Sequence, residues 1–217
     1  HGLYFNSEYI TQDEFLDVIS EGLKVLSKQI KTRHNKKIRI IGFKDYFEDD
    51  VIHRSQAFFR REKLYKAQVQ PNMIFEVNTN WRTPQDYVST FNKKYRRRYK
   101  TALKKSDAIQ RKELFLDEVL SLSGQLYELY ETVSDNAGIN SFKLHETHFY
   151  NLKMELKEDF KLFGYFIDHQ LVGFCTLILN HSKLETYFLG YNQALQHQHQ
   201  MYLNMLFDMA TFGIEPV

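Results

Sequence analysis

Apolar and polar positions alternate in three runs near the end of the chain: Phe160–Asp168, Gln170–Asn180 and Lys183–Tyr191. Only short polar stretches, Asp168-His169 and Asn180-His181-Ser182, part them. Alternation with tight polar turns predicts three antiparallel strands in a meander. Upstream, Gln110–Leu116 reads as a strand, and Asp117–Gly138 and Lys143–Asp159 read as helices. A last helix is expected over about His199–Phe212. The second part of the chain is therefore strand, helix, helix, three strands, helix.

The first part is mixed as well. Thr11-Gln12-Asp13-Glu14 is a capping box, and Phe15, Ile19, Leu23, Leu26 and Ile30 follow it at helical spacing. Lys37–Phe43 reads as a strand and Asp49–Glu62 as a helix. Leu64–Gln70 and Asn72–Asn78 read as strands parted at Pro71, which cannot donate to a ladder. Thr83-Pro84, with Asp86 in the first turn, starts a long helix whose stripe is Tyr87, Phe91, Tyr95, Tyr99 and Leu103. These elements give an α/β (α+β) protein in three segments: a smaller mixed half over 1–82, a connecting helix over 83–106 and a core over 107–217.

Composition narrows the class. The chain of 217 residues is 43% hydrophobic and 15% aromatic, enough for a core and too apolar for disorder. Cys175 is the single cysteine and sits in an apolar strand, so no disulfide framework exists, and a cytoplasmic, reducing setting is expected. No run approaches the roughly 18 apolar residues of a membrane span. The chain begins at His1 and stops at Glu215-Pro216-Val217, so both ends read as incomplete. Oligomeric state is not legible.

The net charge of +2 says little, but its distribution says more. Lys93, Lys94, Arg96, Arg97, Arg98, Lys100, Lys104 and Lys105 are basic, with no acid among them. Three roles suit such a helix: a solvated face, a phosphate-contacting surface for tRNA or a nucleotide-linked precursor, or contact with an anionic membrane. No zinc-finger, helix-turn-helix or RNP-like pattern accompanies it.

The element order resembles the opening of the N-acyltransferase (GNAT) fold. Tyr95–Lys105 resembles the basic helix before the acyltransferase core of the Fem family, the aminoacyltransferases that build peptidoglycan cross-bridges in bacteria. Leu129-Tyr130, Phe149-Tyr150, Phe163-Gly164-Tyr165 and Leu171-Val172-Gly173-Phe174 resemble the helix-helix-hairpin of that group. Phe188-Leu189-Gly190-Tyr191, Tyr202-Leu203 and Phe212-Gly213-Ile214 are similar to its fourth strand and third helix. The resemblance covers about residues 83 to 214 and implies acyl or aminoacyl transfer from an activated donor to a primary amine. It implies a donor that is either acyl-CoA or aminoacyl-tRNA. The loop Asn192–Gln200 holds no glycine and no arginine, so the usual pyrophosphate nest is not expected, and weak acetyl-CoA binding is. Fem enzymes take their acyl group from charged tRNA, which fits.

Strand alternation puts Lys183, Glu185, Tyr187, Leu189 and Tyr191 on one face. Glu185 is the candidate base, with Tyr187 or Tyr191 to orient the amine or return a proton; a solvated sheet face or packing under a helix would use the same residues. Arg96, Arg97, Arg98, Lys100, His197 and His199 are the candidate donor-phosphate contacts. The spacings of His197 with His199, and of His145 with His148, leave a tetrahedron incomplete, so no metal is expected. The rival functions are a catalytically inactive scaffold of the same fold and an RNA-binding module built on the basic helix.

Overall fold

The computed structural model describes residues 4–44, 46–68, 73–136 and 143–214. The chain divides into two compact units, His1–Met73 and Ile74–Val217. In the first, α1 (Gln12–His34) starts at the expected capping box, with Thr11 and Glu14 bonded to each other's backbone. A 3-10 turn, Val51–Arg54, and α2 (Gln56–Arg61) pack on it through Leu16, Ile52 and Phe58. Gln12 fastens the arrangement by donating to the Ser55 hydroxyl at 2.8 Å and the Val51 carbonyl at 3.0 Å. Leu16, outside the expected stripe, is the residue of α1 that is fully buried, and Leu26 stays 48% exposed.

The strands expected at Lys37–Phe43 and over 64–68 and 73–78 are not formed, and positions 69–72 lie outside the described residues. A strand exists only with a partner to share its N–H and C=O groups. Here these segments run without a ladder, and Ile40 is 87% exposed. The mixed α/β class is that of the whole chain; the described residues of the first unit are helix and loop.

The second unit carries the expected order. It opens with α3 (Pro84–Ser89) and α4 (Lys93–Lys105), then β1 (Gln110–Glu113). Next come α5 (Leu116–Ser121), α6 (Ser123–Ser134) and α7 (His148–Leu156). The meander is β2 (Phe160–Ile167), β3 (Gln170–Asn180) and β4 (Lys183–Tyr191), followed by α8 (Gln196–His199) and α9 (Met201–Ile214). Strand order in the four-stranded antiparallel sheet is β1-β2-β3-β4, so the three expected strands form one meander with β1 at its far edge. The helix expected over Asp117–Gly138 is broken at Leu122, and its expected stop at Gly138 lies outside the described residues. The long connecting helix is likewise two helices. Asn92 accepts from the Tyr95 N–H and starts α4 afresh, so the inward face becomes Tyr99 and Ala102, while Tyr95 and Leu103 are 51% and 54% exposed.

Both faces of the sheet are covered. Leu126, Tyr130, Phe149, Phe160, Leu162 and Phe174 form the core under α5, α6 and α7. Phe163, Tyr165, Cys175, Leu177 and the methionines Met201, Met205 and Met209 form the core under α9. The β2–β3 turn places Asp168 and His169 at φ 48° and 64°. Both values are positive, as a two-residue hairpin matching the strand twist requires, and Asp and His tolerate that region better than most residues.

Gly190 and Gly22 test this packing in opposite senses. A Cβ on Gly190 would lie 2.6 Å from the backbone of Leu129 in α6, which cannot step aside. Gly190→Ala is expected to cost about 1–3 kcal/mol in chemical denaturation. Gly22, inside α1, has open space where an added methyl group would lie, so Gly22→Ala should stabilise by about 0.5–1 kcal/mol.

Candidate functional site

The candidate site centres on an irregularity in β4. Cys175 pairs with Leu189 and Leu177 with Thr186, so the single residue Thr176 of β3 faces both Tyr187 and Phe188 of β4. This is a β-bulge, a device that re-aims side chains and bends a strand. Thr176 holds it open from inside the sheet. Its hydroxyl accepts from the Phe188 N–H and donates to the Phe188 carbonyl, both at 2.8 Å. With both polar groups of Phe188 turned inward, strand alternation turns the N–H of Leu189 to the outer edge. In the sheet β4 is an edge strand, so no further strand of the sheet takes that N–H.

The bulge also splits the face expected to carry Glu185, Tyr187 and Tyr191 together. Before it, Leu184 packs toward α9, and after it Leu189 and Tyr191 do. Glu185 pairs with Ile178, a residue of the opposite core, and so shares the α7 side with Tyr187 and Phe188. Tyr191 is thus parted from the other two and lies beside Tyr202 of α9, the rings tilted with centroids 6.2 Å apart. Glu185 is exposed, and its carboxylate accepts from Asn180 Nδ2 at 2.9 Å, tying the hairpin rather than facing the bulge.

No spacing along the chain pointed to the residue that meets Tyr187. His148, at the start of α7, places Nε2 3.2 Å from the Tyr187 hydroxyl, with the rings 5.9 Å apart. Burial holds the imidazole below the ordinary histidine pKa, which favours its neutral, proton-accepting form. His145 turns instead to Thr147, 3.0 Å away. Among the described residues no cluster of His, Cys, Asp and Glu is arranged to hold a metal.

Donor-side candidates divide into structural and free groups. His199 is buried, and its Nδ1–H donates to the Lys105 carbonyl at 3.0 Å. Asn204 donates to the Ala102 carbonyl at 3.0 Å. His199 thus satisfies the Lys105 carbonyl, one of the last that the helix ladder leaves open, and Asn204 is a second donor to the Ala102 carbonyl, which also accepts from the Ser106 N–H at 3.1 Å. His199 is therefore a helix cap, while His197 is exposed and its carbonyl accepts from Lys105 at 2.9 Å. Arg96 donates to the carbonyls of Ser89 and Phe91, closing the end of α3. The guanidinium of Arg98 lies 5.9 Å over the Tyr95 ring. Arg97 and Lys100 are exposed without a side-chain hydrogen bond or ion pair to a described residue.

Two open grooves flank α4. One, of about 690 Å³, follows Lys93, Arg97, Lys100 and Lys104. The other, of about 550 Å³, lies where Lys94 and Arg98 meet Gln200 at the start of α9. Gln200 takes the left-handed turn that a glycine would otherwise supply, at φ 51°. Asn192, the residue best suited to it by type, stays at φ −69°. The loop N–H groups are largely consumed locally. Ala194 donates to the Asn192 side chain, Leu195 to the Asn192 carbonyl and Tyr202 to the Gln196 side chain.

A polar cluster lies under α9. The Tyr165 hydroxyl donates to Asp208 at 2.9 Å, and Arg111 pairs with the other oxygen of that carboxylate at 3.3 Å. Burial raises the Asp208 pKa and pushes the Cys175 thiol up to about 11, so Cys175 is a packed thiol and no nucleophile.

No protein-family model matches the sequence, and no curated protein does. Solved structures similar to part of the chain include an aminoglycoside acetyltransferase from an uncultured soil metagenomic sample, in complex with sisomicin. It is 16% identical over 48% of this chain and 73% of that one, with a TM-score of 0.32. Another is the PaiA N-acetyltransferase from Thermoplasma acidophilum, in complex with coenzyme A. It is 20% identical over 49% and 74% of the two chains, with a TM-score of 0.35.

Thr176→Val should leave the Phe188 N–H and carbonyl unpaired inside the sheet, costing about 1–3 kcal/mol in denaturant unfolding. Thr176→Ser, which keeps the hydroxyl, should recover most of it. For Asp208 the sign runs opposite to that of an ordinary ion-paired carboxylate. Its raised folded pKa means that the folded state binds more protons than the unfolded one just above the usual aspartate range. Its contribution to stability falls as pH rises through that window. Asp208→Asn should flatten that segment of a melting temperature versus pH curve.

Proposed function

We propose that the second unit transfers an acyl group from a phosphate-bearing donor to a primary amine at the open edge of β4. The bulge at Tyr187–Phe188 is the observation that carries this reading. Pinned by Thr176, it sets an outward N–H at Leu189 beside a neutral imidazole and a phenol. An amine docked against His148 and Tyr187 loses its proton to the imidazole, directly or through the Tyr187 hydroxyl. The amine nitrogen attacks the donor carbonyl, and the N–C bond forms. The edge N–H groups stabilise the developing oxyanion. The bond to the donor's sulfur or oxygen then breaks, and the leaving group recovers a proton. No covalent bond to the protein is required.

Donor phosphates have a place at the far end of the same strand. Tyr191 closes β4 beside Tyr202 of α9, and the α9 start faces Lys94 and Arg98. From Tyr187 to Tyr191 the strand spans about 13 Å, so the donor must present its acyl group on an arm of that order. Because the loop N–H groups are engaged locally, phosphate recognition falls to side-chain cations. That supports weak binding of acetyl-CoA and favours a larger anionic donor, such as an aminoacyl-tRNA. A Fem-like acceptor, an amine of a peptidoglycan precursor, is the finer form of the same reading.

The test is transfer from acyl-CoA and from aminoacyl-tRNA to a panel of primary amines, followed by mass spectrometry. Turnover with one donor is expected, and absence of turnover with both overturns the reading. In the active pairing, His148→Gln should lower kcat by roughly a hundredfold or more, with a smaller loss for Tyr187→Phe. The wild-type kcat/KM should rise with pH through a pKa below the ordinary histidine value, since only the neutral imidazole takes the proton. His148→Gln should lose that limb.

A further inference from the structure

We propose that the outer face of α4 binds the phosphate backbone of a nucleic acid without reading its sequence. Lys93, Arg97, Lys100 and Lys104 are separated by four, three and four residues. At a helical repeat of 3.6 residues this spacing aligns them in one row. The row is about 16 Å long at the rise of an α-helix. All four side chains are exposed, and none pairs with an acid among the described residues. Lys94 and Arg98 run along one flank. A row of unneutralised cations spaced a few ångströms apart is costly to hold by itself, and a chain of phosphates relieves the repulsion and releases counterions.

The rest of α4 decides what kind of polyanion this is. A helix that lies on a membrane needs an apolar face to sink into lipid. The inward face of α4 is already spent: Tyr99 packs edge-on against Phe207 at 4.8 Å, and Ala102 is fully buried. Between the four cations the outer face offers Thr101, and Leu103, 54% exposed, is a single aliphatic side chain to one side of the row, far short of the apolar face a bilayer takes up. The same bareness excludes base reading. Stacking on bases takes exposed aromatic rings, and the exposed ring of α4, Tyr95, lies four residues before Tyr99 on the side away from the row, under the Arg98 guanidinium. Contacts to the backbone alone remain.

The two other basic residues that line the groove at Lys100 have structural duties. Arg96 closes the end of α3, and Lys105 holds the His197 carbonyl. They make internal controls. Fluorescence anisotropy with a labelled RNA strand and a DNA duplex, each of about a dozen units, would be followed from roughly 50 to 300 mM potassium chloride. About four contacts predict that log K falls with log salt at a slope of about −3 for the strand and about −4 for the duplex. The variant Lys93→Gln/Arg97→Gln/Lys100→Gln/Lys104→Gln should bind at least tenfold more weakly at the lowest salt, lose most of the slope and melt as the parent does. Arg96→Gln should lower the melting temperature and keep the slope. A flat salt dependence, unchanged affinity in the quadruple variant, or binding seen only with phosphatidylserine vesicles would overturn the proposal. The readout is binding, so it stands or falls apart from the chemistry at β4.

Discussion

Thr176 sits in the middle of β3, the strand that both cores of the second unit share. From Leu171 to Leu177 every residue of that strand is buried. A hydroxyl in such a place must be bonded or it destabilises the fold. It is satisfied twice by one residue, Phe188, and that exchange is possible only because β4 bulges there. The requirement of one buried hydroxyl therefore sets the local register of β4. It puts Tyr187 and Phe188 on the same side of the sheet, and it leaves the alternation shifted for Leu189 and Tyr191. The packing of α9 on Leu184, Leu189 and Tyr191 follows from that shift.

Close approach is the second constraint. Gly173 leaves room for the methyls of Met201 and Met205, and Gly190 lets the α6 backbone near Leu129 reach the sheet. Side chains at these two positions would hold α9 and α6 away from β3 and β4. The position of α9 in turn fixes α4. Asn204 and His199 reach from α9 and α8 to the last carbonyls of the basic helix, and Phe207 receives Tyr99. The cationic face is thereby held outward by contacts on the opposite side of the same helix. Charge display and core packing are two faces of one element.

Lys153 shows how the sheet tolerates charge at its other end. It is buried, donates to the Phe160 carbonyl at 2.9 Å and lies 3.6 Å from Glu113. Glu113 is also 3.2 Å from Lys161. A carboxylate with two ammonium neighbours and a carbonyl to share the protons is the arrangement under which a buried cation is retained.

The meander, its turns and the helix that follows can be read from local pattern, because alternation of apolar residues survives in any packing that buries one face at a time. Both N-terminal caps of α1 and α3 were legible for a similar reason: a capping box is a local exchange of bonds within four residues. The strands expected at Lys37–Phe43 and over 64–68 and 73–78 were not of this kind. Their apolar patterns are genuine, but a ladder depends on a partner that local sequence does not name. The restart of the helix at Asn92 was missed because the stripe continues smoothly across it. At the candidate site, period-two counting puts Glu185 and Tyr187 on one face, as the register does, and it fails at Tyr191 because it passes through a bulge. His148 is 39 residues from Tyr187, and only the packing of α7 on the sheet brings them together. The basic row on α4 was legible as charge. Which of its members are free, and which cap helices, was decided by distant carbonyls that tertiary structure alone delivers.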